Sequence, residues 1–169
     1  SITIVSISRI SSLECSRCHH RVVADSASTV CPACSDVLFV RYDMEEIKRS
    51  VQRPTGDSGS GIWRYAGVLP DFAPVSLGEV GTPLLRSRQY SGLFVKDEGR
   101  NPTGSMEDRG MALAVAAAKH YGIQQLSIAS QGTAAVSLAA CAAAAGLGVH
   151  AYLSQDVSTV DHLECVAFG

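Results

Sequence analysis

From Gly92 onward the chain alternates short apolar runs with longer stretches of helical period, and the alternation is regular enough to name the elements. Leu93-Phe94-Val95 predicts a strand, Asp108 to His120 a helix closed by Gly122, and Leu126-Ser127-Ile128-Ala129 the next strand. Ala134 to Ala145 predicts a second helix stopped by Gly146, followed by a strand at Val149 to Leu153. Thr159 to Glu164 reads as a short helix handing over to a strand at Cys165 to Phe168. Strand, helix, strand, helix in this order requires crossover connections, so the expected fold is α/β with a parallel sheet and right-handed crossovers. Upstream the texture differs: a cysteine-bearing front to about Met44, then a polar, glycine-rich middle in which Pro54 to Gly61 reads as a flexible connector. The expected division is residues 1–50, a linker and wrapping segment over 51–82, and an α/β domain over 83–169.

Composition narrows the class. A net charge of -2 with no run of lysine or arginine gives no footprint for a nucleic-acid backbone, so no such partner is expected. Alanine dominates between Ala112 and Ala145, where small side chains permit close helix packing, and Gly146 and Gly148 break that run well short of the ~18 apolar residues of a membrane span. Ser1 to Ile10 lacks the basic region and long apolar core of a secretory leader, which makes a cytoplasmic protein the expectation.

Four of the six cysteines form two pairs, Cys15-x-x-Cys18 and Cys31-x-x-Cys34, with twelve residues between them. Each pair places two thiolates on one side of a tight turn, and two such turns supply the four sulfurs that zinc takes at ~2.3 Å each. About forty residues bury too little apolar surface to fold unaided, so a structural zinc ribbon is expected there, the competing reading being two unrelated thiol pairs. His19 and His20 follow Cys18 directly and are exposed candidates beside the set.

Six segments point further: Gly61-Ile62-Trp63-Arg64-Tyr65, Ser76-Leu77-Gly78-Glu79, Gly81-Thr82-Pro83-Leu84, Val95-Lys96-Asp97-Glu98, Asn101 to Gly110, and Ala129-Ser130-Gln131-Gly132-Thr133. In this order they resemble the threonine synthase family of fold type II pyridoxal-phosphate enzymes, including the variety with an N-terminal cysteine ribbon. The resemblance implies a partial doubly wound parallel sheet, the N-terminal half of such an enzyme, in a chain shorter than the family's usual length. It also implies that the cofactor lysine belongs at position 107, at the start of a helix with Ser105 near its cap. This chain has Glu107 there, preceded by Met106, and a carboxylate cannot form a Schiff base. By the same resemblance Ser130, Gln131, Gly132 and Thr133 form the loop that grips a substrate carboxylate, with Thr133 where the family has an Asn against the cofactor ring, while the phosphate loop and pyridine partner would fall after Gly169. Pyridoxal phosphate is therefore not expected, and Lys96, on its own strand, is not the aldimine former.

What remains is a set of alternatives. Glu107 is the candidate catalytic residue, as a general base or metal ligand, against the plainer role of a helix-dipole cap. Ser130 to Thr133 is the candidate ligand loop for a small amino-acid-like molecule, against a structural turn. The readings carried forward are a homologue that has lost pyridoxal-phosphate catalysis and binds such a ligand, with a place in a specialised biosynthetic pathway; a non-catalytic zinc-ribbon partner or regulatory subunit; and an enzyme with a replacement metal or haem held by His162, Cys165 or Glu107. Whether it is an enzyme stays open. A homodimer or a protein partner is expected, because half of a two-lobed fold exposes an apolar face.

Overall fold

The computed structural model describes residues 9–24, 29–50, 61–79 and 81–169. The connector expected over Pro54 to Gly61 lies outside them as far as residue 60, as does the N-terminal stretch Ser1 to Ser8. The chain divides into two compact units, residues 1–56 with 63–72 and residues 57–62 with 73–169.

The first unit is built on an antiparallel sheet of β1 (Ile10–Cys15), β2 (Arg21–Val22) and β3 (Leu38–Tyr42), in the order β2-β1-β3. Leu13 is paired with Val22 on one side and with Val40 on the other, which centres β1 and buries Glu14 between two arginines. Arg21 and Arg41 each donate to the Glu14 carboxylate, at 2.7 and 2.9 Å. Arg41 first, then Arg21, holds that carboxyl down at about 2, against a smaller opposing effect of burial. A short helix, α1 (Met44–Ser50), follows β3; the Asp43 carboxylate accepts from the Glu46 N–H at 2.9 Å and so caps its first turn.

The second unit opens with a hairpin, β4 (Leu84–Arg86) and β5 (Phe94–Lys96), paired antiparallel with Leu84 opposite Lys96. The Ser87 hydroxyl accepts from the N–H groups of Gln89 and Tyr90, and the chain then turns at Gly92, so the strand expected at Leu93 pairs with its own neighbour. Beyond it run α2 (Glu107–His120), β6 (Gln125–Ser130), α3 (Thr133–Ala145), β7 (Gly148–Leu153) and α4 (Thr159–Phe168). β6 and β7 are parallel, Gln125 opposite Gly148 through Ser130 opposite Leu153, and they are the parallel pair among the described strands.

α3 ends at Gly146, whose φ of 73° is the left-handed geometry that glycine alone enters without strain, and the Leu147 N–H closes back on the Ala142 carbonyl at 2.9 Å. Eight consecutive residues of α3, Ala135 to Ala142, are buried, so this helix has no solvent face over two turns. α2 buries a single side, Ala112, Val115, Ala116 and Ala118. The strand expected at Cys165 to Phe168 is instead the end of α4. Ser158 caps that helix by accepting from the Asp161 N–H at 3.0 Å, and Val160, Leu163 and Val166 fall three apart, a helical period that a four-residue apolar run cannot reveal. Cys165, expected on that strand, is half-buried on the helix. Among the described residues no helix is long and apolar enough to cross a membrane.

Candidate functional site

Two equivalent turns assemble the cysteines. In each, the residue after the second cysteine takes a left-handed backbone, His19 at φ 57° and Ser35 at φ 60°. In each, that residue's N–H reaches the carbonyl of the first cysteine, His19 to Cys15 at 3.2 Å and Ser35 to Cys31 at 2.8 Å. The N–H groups of Arg17 and Cys18 both approach the Cys15 sulfur at 3.4 Å, and Ala33 N–H approaches that of Cys31 at the same distance. Such donors favour a thiolate: the Cys18 N–H foremost, with that of Arg17 and against burial, brings the Cys15 thiol down to about 6.

The sulfurs meet across the turns, Cys15 to Cys34 at 3.5 Å, Cys18 to Cys31 at 3.6 Å and Cys18 to Cys34 at 3.5 Å. All four lie within 4.8 Å of one another and could hold a metal ion. Four sulfurs each ~2.3 Å from a common centre stand about 3.8 Å apart in a regular tetrahedron, so the donor set fits zinc in both number and spacing. Cys15 and Cys31 are buried and Cys18 is exposed. His19 sits outside the set, its Nδ1 3.5 Å from the Glu14 carboxylate.

The second cluster lies where α2 and α3 begin. Ser105 is buried, accepts from the Glu107 N–H at 3.2 Å and donates to the Glu107 carboxylate. Across the gap, the Thr133 hydroxyl donates to Oε1 of Glu107 at 3.5 Å. The two helices therefore bring together two residues singled out from the sequence, each the first residue of its helix. Of the rest of the loop, Gln131 is exposed, while Ser130 turns onto its own backbone and accepts from the Gly132 N–H at 3.1 Å. One of the donors expected to face a ligand is thus taken internally. Gly132 is buried at φ 152°, and a Cβ there would stand 2.6 Å from Oδ2 of Asp161 in the first turn of α4.

A fully buried carboxylate pins the two helices. Asp108 accepts from the Thr103 N–H at 2.9 Å, the Thr103 hydroxyl at 2.5 Å and the Ser137 hydroxyl at 2.7 Å. Ser137 lies one turn beyond Thr133, and Asp108 one residue beyond Glu107, so this bond fixes the facing pair. Sequence reasoning gave Asp108 only as the start of a helix and passed over Ser137, although a lone hydroxyl inside an alanine run was the available signal.

Lys96 is engaged elsewhere. Its ammonium donates to the Thr82 carbonyl at 2.5 Å and to the Thr82 hydroxyl, and stands 3.5 Å from Glu98. Arg109 donates to Glu98 at 2.7 Å and, with burial opposing it, holds that carboxyl well below the usual range, helped by Thr82 and Asn101. Glu107 offers no amine for the covalent attachment of an aldehyde cofactor, and the Lys96 amine is engaged by Thr82 and Glu98.

At the far end, His162 and Cys165 line an open cavity of about 750 Å³ together with Val149, Ala151 and Leu153 of β7. Burial raises the Cys165 thiol, aided by the charges of Asp161 and Glu164, so it is held as the neutral thiol. Cys141 inside α3 is pushed up to about 12, first by burial and then by Asp108 and Glu79, as befits a packing residue.

The profile of the family described as pyridoxal-phosphate dependent enzyme matches residues 75–169. The threonine synthase of Methanosarcina acetivorans is 35% identical over 144 residues, covering 81% of this chain and 35% of that protein. That of Methanocaldococcus jannaschii is 38% identical over 142 residues, 78% of this chain and 35% of its own length. The chain therefore spans about a third of the length of these relatives. The solved structure of an O-ureido-L-serine synthase aligns with a TM-score of 0.47 at 30% identity, over 52% of this chain and 30% of that one.

Proposed function

We propose, from the premise that this chain belongs to the family of pyridoxal-phosphate dependent enzymes and is threonine synthase-like within it, that its cleft binds a small amino-acid-like ligand without a lysine-linked cofactor. The observation that carries the proposal is the Glu107 carboxylate, held by Ser105 and facing Thr133, at the position where the resemblance puts the family's lysine. An α-amino acid offers an ammonium to Glu107 and a carboxylate to the beginning of α3, where the helix carries partial positive charge. Thr133 serves either end of such a ligand, and exposed Gln131 is free to reach its side chain. As a general base Glu107 would take the proton on its carboxylate. Pyridoxal phosphate supplies an electron sink in this family's chemistry.

Isothermal titration with the proteinogenic amino acids tests the proposal. Heat is expected with at least one of them, with affinity falling tenfold or more in Glu107→Gln, as about 1.5–3 kcal/mol for a charged hydrogen bond requires. Absence of heat across the panel sinks it. Borohydride reduction in the presence of pyridoxal phosphate, followed by peptide mapping, is expected to leave residue 107 unmodified.

In the cysteine cluster the metal we assign is zinc in a closed, structural role, since four thiolates leave no open position. The second reading, a partner or regulatory chain, is favoured by exposed apolar residues: Leu84, Phe94 and Val95 on the hairpin, and Val160, Leu163 and Val166 on one face of α4. It entails a homodimer or a complex with another protein, and a monomer by light scattering at micromolar concentration would remove the homodimer.

A further inference from the structure

The cysteine cluster has a second chemistry beyond holding a metal. We propose that it is an oxidant-triggered release switch in which peroxide converts the four thiolates into two disulfides, Cys15–Cys34 and Cys18–Cys31, and sets the zinc free. The proposal rests on the zinc assignment above.

The geometry points to these bridges for three reasons. First, the short sulfur pairs run between the turns, and 15 with 34 and 18 with 31, at 3.5 and 3.6 Å, use every cysteine once. A disulfide needs its sulfurs at ~2.05 Å, an approach of about 1.5 Å from these separations. Second, the Cys15 sulfur is fastened by N–H groups of its own turn, Arg17 and Cys18, and that of Cys31 by Ala33, so the buried member of each pair is held in place for attack. Third, Cys18 is exposed while Cys15 and Cys31 are buried, so the oxidant meets Cys18 first and Cys31 lies behind it. Cys165, the remaining cysteine outside the core of α3, belongs to neither pair.

The step balances. Peroxide oxidises the Cys18 thiolate to a sulfenic acid; the Cys31 thiolate attacks that sulfur, the sulfur–sulfur bond forms and water leaves. Each disulfide consumes one peroxide and two protons and yields two waters. Two disulfides per cluster thus take two peroxides and four protons, give four waters, and remove all four donors from the metal. The cross-links then stand in for the zinc, tying the two turns together across the same sheet.

The test uses the full chain loaded with zinc, titrated with hydrogen peroxide, with released zinc read by a metallochromic dye and bridges mapped by mass spectrometry. Expected are two peroxides per zinc released, the two named bridges, ellipticity close to that of the loaded form, and recovery with a dithiol plus zinc. Zinc retained in tenfold peroxide excess overturns the switch. Bridges within the turns, Cys15–Cys18 and Cys31–Cys34, or a Cys18–Cys34 with Cys15–Cys31 set, overturn the pairing. A chain that takes up no zinc before oxidant is added overturns the metal assignment instead; the same mapping then still decides the pairing.

Discussion

Replacing Asp108 probes the bond on which the facing pair depends. Asp108→Ala removes the acceptor from the Thr103 N–H, the Thr103 hydroxyl and the Ser137 hydroxyl. The two hydroxyls lie 3.0 Å apart and can still satisfy each other in part, which leaves roughly two charge-assisted bonds lost. At about 1.5–3 kcal/mol each, offset by no longer burying a carboxylate, the expected cost is about 3 kcal/mol. For a unit of this size that is a fall in midpoint temperature on the order of 10–20 °C. Asp108→Asn, which keeps the shape and one oxygen, is expected to cost about 2 kcal/mol, and Ser137→Ala about 1 kcal/mol. Urea unfolding followed by far-UV circular dichroism reads the helices, while fluorescence of Trp63, the single tryptophan, reports separately on the first unit. The two changes should also couple, with a double-mutant interaction of about 1 kcal/mol. An Asp108→Ala cost below about 1 kcal/mol, or a coupling below about 0.5 kcal/mol, would refute the claim that this carboxylate pins α2 to α3.

Other perturbations follow from the same geometry. Gly132→Ala must hold a φ of 152° and displace Asp161 from its Ser158 cap, so a loss of about 1–3 kcal/mol is expected in chemical denaturation; adding Asp161→Ala should relieve the clash but not the backbone cost. Removing metal with a chelator should abolish the ordered first unit while leaving the helical signal of α2 and α3, and a Trp63 spectrum unchanged by chelation would contradict it. Glu98 is stabilised as the anion in the folded chain, so its contribution is complete above its ordinary value of 4.5 and is lost as pH falls below that. Glu98→Gln should therefore flatten the decline in stability of the second unit below that pH, and an unchanged slope would count against the Arg109 pairing.

Much of the second unit was legible because its signals are local. Helices α2 and α3 announced themselves by a run of good helix formers ended by Gly122 and Gly146, and both glycines take positive φ. The cysteine spacing likewise foretold the sulfur cluster, although not the left-handed backbone at His19 and Ser35 that makes the two turns equivalent. What stayed hidden depends on distant parts of the chain. Nothing near Glu14 predicts that Arg21 and Arg41 converge on it, and nothing near Gly132 predicts that Asp161 approaches from another helix. The strand expected at Cys165 was lost to a cap seven residues earlier, at Ser158. Glu107 and Thr133 could each be singled out by resemblance, yet their meeting is a property of two helices packed side by side.

That packing gives the alanines of α3 a meaning beyond filling space. A helix enclosed over two turns by its neighbours, with Ala135, Ala139, Ala140 and Ala142 at the points of contact, works as a gauge that fixes how near the surrounding elements stand. Helix axes approach within about 8–10 Å according to the side chains between them, and alanine sets the lower end. Each added methylene at one of these positions would act as a shim, prying α3 from the neighbour that the residue faces. For the ligand proposed above, a change of specificity should therefore be sought among the least reactive side chains of this helix.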